Sequence, residues 1–231
     1  MLSQVTEMPA LMSMLSSDVY ARSGRDTMTR NAFYLIMGCV LGWGLVFTHI
    51  VSQMTVDWKP GILKFLLVGI GLPFLGIFLS ISESAFVSFL GFNLVVGAFG
   101  ALLGPTLARY ELARPGIVSE AAILTAIVTA VMAVSGLLFP NFYRSIGGAL
   151  AGALMALLLV LVASFFIPAL MQFSIIHYLA AGLFALYIGY DMWRASEIPA
   201  TLDNAVDVSV SLYLDILNLF LWILPILAKK D

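Results

Sequence analysis

Beyond residue 31 the chain is written in blocks of about 20 apolar residues broken by short polar stretches. A bilayer hydrocarbon core of about 30 Å is crossed by about 20 helical residues rising 1.5 Å each, so every such block predicts a transmembrane helix. Seven are expected, at about residues 31–51, 61–81, 85–107, 117–139, 146–167, 170–193 and 208–227. Residues 1–30 are polar and carry Arg22, Arg25 and Arg30 close to the first block. They predict a short mobile tail leading into an uncleaved first helix, since the apolar block is too long for a signal-peptide core. The domain organisation is therefore a tail, 1–30, and a membrane domain, 31–231.

The breaks are punctuated in the usual ways. Asp57, Trp58, Lys59 and Pro60 form the first, Ser82, Glu83 and Ser84 the second, and Pro115 and Gly116 close a loop expected over 108–116. Residues 194–207 are the most polar stretch and predict the last loop. Pro73, Pro105 and Pro225 fall inside spans and predict kinks. In the fifth block Gly147, Gly148 and Gly152 with Ala149, Ala151 and Ala153 predict close backbone approach to a neighbour. Lysines and arginines divide almost evenly between the two faces, so the arginines ahead of the first helix point the N-terminus to the cytoplasm.

Composition agrees: 61% of residues are hydrophobic, 10% are charged, and the mean hydropathy is +1.04. A net charge of −2 with scattered cations leaves no basic surface for nucleic acid. Cys39 is the single cysteine, which excludes an intrachain disulfide and a cysteine metal site. No catalytic residue set and no bound cofactor are expected.

Against that background two acids stand out. Asp191 closes the sixth block and Asp215 lies inside the seventh. An ionisable residue at membrane depth costs several kcal/mol, so it defaults to function and to a partner. Their 24-residue separation covers a helix end, a loop and part of an antiparallel return, which lets both reach one depth. Two touching carboxyls do not both ionise cheaply, so a shared proton is expected, and with it a proton-controlled latch. The same acids, helped by Tyr213, Asn218 or helix-end carbonyls, offer a weak, transient site for calcium, a cation that takes oxygen ligands. Asp203, Asp207 and Glu197 either gather cations at the mouth of a path or form an ordinary acidic solvated loop. Glu120, one turn into the fourth block, either lines a polar cavity or meets first-turn amides. His49 and His177 suit interfacial donors.

Three segments then carry a resemblance: Gly100 through Pro105, Ser119 through Ala126, and Ser211 through Phe220, the last holding Leu212, Tyr213, Leu214 and Asp215. Together, in this order and within seven spans, they resemble the Bax inhibitor-1 (transmembrane BAX inhibitor motif) family over about residues 31–228. The resemblance implies an all-α membrane fold whose last helix is central and wrapped by the other six. It implies a pH-sensitive calcium leak and carries the latch role onto Asp191 and Asp215. Family members with leak activity tend to have an acid and a basic residue in the second helix, the basic one competing for an aspartate. Residues 65–81 here hold no charge, and only Lys64 and Glu83 flank them.

Bacterial relatives also imply a partner, a membrane AAA protease, which the polar tail would suit. A bacterial plasma membrane is the expected location. An interaction protein without transport is thus the competing reading. An intramembrane aspartyl protease also uses two acids on successive helices, and Tyr190 and Asp191 resemble its first motif. Its second motif is Gly-x-Gly-Asp, whereas Leu212, Tyr213 and Leu214 precede Asp215.

Overall fold

The structure, a computed structural model, describes residues 27–82 and 84–229. Most of the expected tail lies outside them, as do Arg22, Arg25, Glu83, Lys230 and Asp231. Among the described residues seven helices are long and apolar enough to cross a membrane: α1 (Arg30–Met54), α2 (Ile62–Ser80), α3 (Ala85–Ala113), α4 (Ile117–Leu138), α5 (Pro140–Phe166), α6 (Ser174–Glu197) and α7 (Leu202–Ala228). No strand occurs among the described residues. The chain is a seven-span, all-α membrane protein, as its blocks of apolar residues predict.

The helix ends explain where the predicted limits shift. Thr201 adopts extended backbone and its hydroxyl accepts from the Asn204 amide at 3.2 Å, with Asp203 in the first turn, so α7 begins at Leu202 rather than about residue 208. The expected loop over 194–207 shrinks to residues 198–201. Pro140 begins α5, where its missing amide proton matters least. Helix α3 runs on through Ala113, and Gly116, at φ 88° in the left-handed region, turns the chain sharply into α4. Both α3 and α7 continue as helix through their internal prolines, Pro105 and Pro225. In α2 the interruption is different. Residues Leu67–Gly71 form a π turn in which the Leu72 amide donates to the Leu67 carbonyl, five residues back. Pro73 follows and has no amide proton to give the Gly69 carbonyl, which favours this local widening.

Helix α7 is the core. It packs on α1, α3, α4 and α6 and touches α2, and over half of its best membrane window is buried, more than in any other span. Helix α5 departs from the expectation that the last helix is wrapped by all six others: it rests on α6 and, lightly, on α4. Of the glycines of α5 only Gly147 is close-packed, against the Tyr190 ring of α6, and the approaches of backbone to backbone fall elsewhere. A Cβ on Gly148 or Gly152 would meet nothing within 4 Å. A Cβ on Gly136 in α4 would instead collide with the Gly189 carbonyl of α6, and Gly76 of α2 and Gly91 of α3 stand in the same relation. Glycine is required where two backbones touch, and in lipid such contact drives helix association.

Candidate functional site: an acid pair between the last two helices

Asp191 lies two turns before the end of α6, and Asp215 lies near the middle of α7. Antiparallel packing of these helices brings the carboxyls into a hydrogen bond with each other. Such a bond needs a proton on one of the two groups. Both residues are buried, at 7% and 9% exposure, although each side chain is acidic and the surrounding helices are apolar. Apart from the proton shared with Asp191, nothing donates to the Oδ2 atom of Asp215 among the described residues. A buried acceptor in that state is costly unless protonation, water or a cation satisfies it.

The surroundings are built to hold α6 in place. Two residues before Asp191, Gly189 sits against the Gly136 backbone of α4 and under the ring of Tyr143 from α5. The Tyr143 hydroxyl in turn meets the Ser135 hydroxyl at 2.5 Å. On the tail side, Arg30 donates to the Ala195 carbonyl at 3.0 Å, and Arg144 pairs with Glu197 at 3.2 Å while lying 5.8 Å from the centre of the Trp193 ring. The late half of α6 is thus fixed by α1, α4 and α5, and Asp191 with it. Two side chains act on the pair electrostatically. Arg194, one turn beyond Asp191, is the cation that acts on it. Tyr187, one turn before, carries a hydroxyl within range of both carboxyls. Sequence reasoning passed over Tyr187, yet its four-residue spacing from Asp191 places both on one helix face.

The other expected pathway residues do not join this pair. Tyr213 is fully buried on the far side of α7, where its hydroxyl meets that of Thr48 in α1 at 2.7 Å and its ring packs edge-on to Phe92 of α3. Two positions on a helix differ by about 200°, so Tyr213 and Asp215 face opposite neighbours. The Asn218 amide donates to the Leu214 carbonyl of its own helix at 2.8 Å. Glu120 is exposed and pairs with Arg114 at 2.8 Å, and Arg114 also donates to the Leu227 carbonyl, about 18 Å along α7 from Asp215 by helical rise. Glu120 therefore tethers α4 to the end of α7. It lines no cavity with the acid pair.

Asp203 and Asp207 lie in the opening turns of α7 rather than in a loop. Asp207 is buried, and Asp203 accepts from the Ser88 hydroxyl of α3 at 3.1 Å, so a loop of free acids at a pore mouth is not what the fold provides. His177 is buried with its ring edge-on to Trp222. Among the described residues no three His, Cys, Asp or Glu side chains converge, so Asp191 and Asp215 offer a cation two carboxyl ligands at most.

Comparisons with known proteins agree with this architecture. Two Helicobacter pylori proteins of uncharacterised function, from strains J99 and 26695, are 35% and 34% identical over 144 residues. That stretch is 62% of this chain and spans only 58% of each relative's length. The family model described as inhibitor of apoptosis-promoting Bax1 matches residues 26–231, which takes in all seven spans and both aspartates. This multi-pass integral membrane protein belongs to the Bax inhibitor-1 family.

Proposed function

We propose that the protein is a pH-sensitive cation leak, with calcium as the transported ion, and that Asp191 and Asp215 form its latch. The observation that carries this reading is the direct hydrogen bond between two buried carboxyls on the last two helices. With one proton shared, the pair ties α6 to α7. Removing that proton leaves two adjacent negative charges at membrane depth, which repel by a few kcal/mol even in a moderately polar surrounding. The helices then part and the carboxylates face the opening, where they attract a hard cation. Arg194 is the cation that acts on Asp191, whereas Lys64, the basic residue of α2, stands exposed in the first turn of that helix. Tyr187 offers its hydroxyl to whichever carboxylate is charged.

The location that suits this activity is a bacterial plasma membrane. The test is calcium flux into proteoliposomes of the full chain from mildly acidic to mildly alkaline pH, beside Asp191→Asn and Asp215→Asn. Flux should rise with pH in the wild type and lose its pH dependence in either variant. Flux no greater than in empty vesicles at every pH would refute the leak. A retained protease partner in the same preparations would then favour the interaction reading.

A further inference from the structure

Helices α5 and α6 do not close on each other. Between them lies an apolar cavity of about 890 Å³, a size that takes a sizeable ligand. Its walls are made of what is missing: Ala149, Ala153 and Ala156 of α5 stand opposite Leu179, Gly182 and Leu186 of α6. The small residues that sequence alone would assign to helix packing leave space here. Along α6 the cavity runs from Ile176 to Leu186, about 15 Å by helical rise, which is half of a 30 Å hydrocarbon core. That is the depth of one leaflet.

At the Ile176 end the chemistry changes. A second, polar cavity of about 100 Å³ is lined by Ser174, His177, Tyr178, Ile226 and Lys229. Tyr178 lines both spaces, so they adjoin. The Lys229 ammonium donates to the Gln172 carbonyl at 2.9 Å, which holds it over the start of α6 with two of its three donors left for another acceptor. An apolar slot one leaflet deep, ending in a fixed cation and a serine hydroxyl, matches one class of molecule in shape and in charge.

We propose that this composite cavity binds an anionic glycerophospholipid, its acyl chains between α5 and α6 and its phosphate against Lys229 and Ser174. The bilayer itself supplies the ligand. A phosphate accepts charge-assisted hydrogen bonds from an ammonium, and a zwitterionic headgroup adds a positive charge that Lys229 repels. The chains replace contacts that α5 otherwise lacks, which gives this peripheral helix a lipid-dependent hold on the bundle. The proposal is independent of the acid pair, which lies toward the other end of α6.

The test is native mass spectrometry of the full chain, delipidated in detergent and titrated with phosphatidylglycerol or with phosphatidylcholine of the same chains. The first phosphatidylglycerol should bind about tenfold more tightly than the first phosphatidylcholine, a difference of about 1.4 kcal/mol. Lys229→Ala should erase that preference. Ala153→Phe and Gly182→Leu should each abolish the first bound lipid of both kinds by filling the groove. Should Ala153→Phe fail to fold, Gly182→Leu carries the result, because a Cβ there meets nothing within 4 Å. Equal affinities for the two lipids, a preference that survives Lys229→Ala, or groove-filled variants that bind as the wild type does would each overturn the proposal. So would a dimer whose interface covers the groove in place of bound lipid.

Discussion

The two faces of α7 solve the same problem in opposite ways. Toward α1 and α3, Tyr213 buries a hydroxyl at membrane depth and satisfies it with Thr48, whose own hydroxyl also reaches the Val96 carbonyl at 3.4 Å. Toward α6, Asp215 buries an acid and meets a second acid, and its Oδ2 receives no other donor among the described residues. The first arrangement is neutral and complete, and it ties helices together at any ordinary pH. The second holds only while a proton is present. A buried polar contact in lipid is a fastening when its atoms balance, and under the proposed function it is a switch when they do not.

Five substitutions sharpen that contrast. Tyr213→Ala should have the largest effect on stability, about 3–5 kcal/mol from the lost ring and the cavity it leaves, equally at acidic and alkaline pH; thermal unfolding in detergent measures it. Asp215→Asn should leave the acid-pH melting temperature near the wild type, because an amide can also hydrogen-bond Asp191. It should flatten the pH profile of flux, which in the wild type is expected to rise about one to two orders of magnitude from acidic to alkaline pH. Similar flux profiles in wild type and variant would remove the difference between the two faces. Tyr213→Phe keeps the ring and loses one hydrogen bond, so a loss of about 1 kcal/mol without a pH trend is expected from the same melts. Smallest is Gly152→Ala on the open face of α5, expected to change stability by less than about 0.5 kcal/mol. Gly136→Ala, where backbone meets backbone, should cost about 1–3 kcal/mol by contrast.

Much of this was legible in the residues, and the failures are as instructive. Periodic polarity marks a span within a few residues because insertion into lipid depends on length and apolarity alone, which is why seven blocks became seven helices. The acid pair was legible for a similar reason: charge at membrane depth is rare and demands a partner. The loop over 194–207 misled because Asp203, Asn204 and Asp207 look like solvated residues, whereas the Thr201 cap and burial against α3 draw them into α7. Tyr213 and Asn218 were grouped with Asp215 by closeness in sequence, although the helical turn sends Tyr213 to another neighbour and Asn218 bonds its own backbone. Glu120 carried two readings, and the fold places it in an exposed ion pair.

Sequence by itself determined that this chain lives in a membrane, how many times it crosses, and which two acids must answer for their presence there. These depend on transfer between water and lipid, which each residue carries with it. Tertiary structure decided which glycines touch, which polar groups meet, and where space remains between α5 and α6. Such properties belong to pairs of helices, and a run of Gly and Ala reads the same whether a neighbouring backbone or an open groove lies beside it.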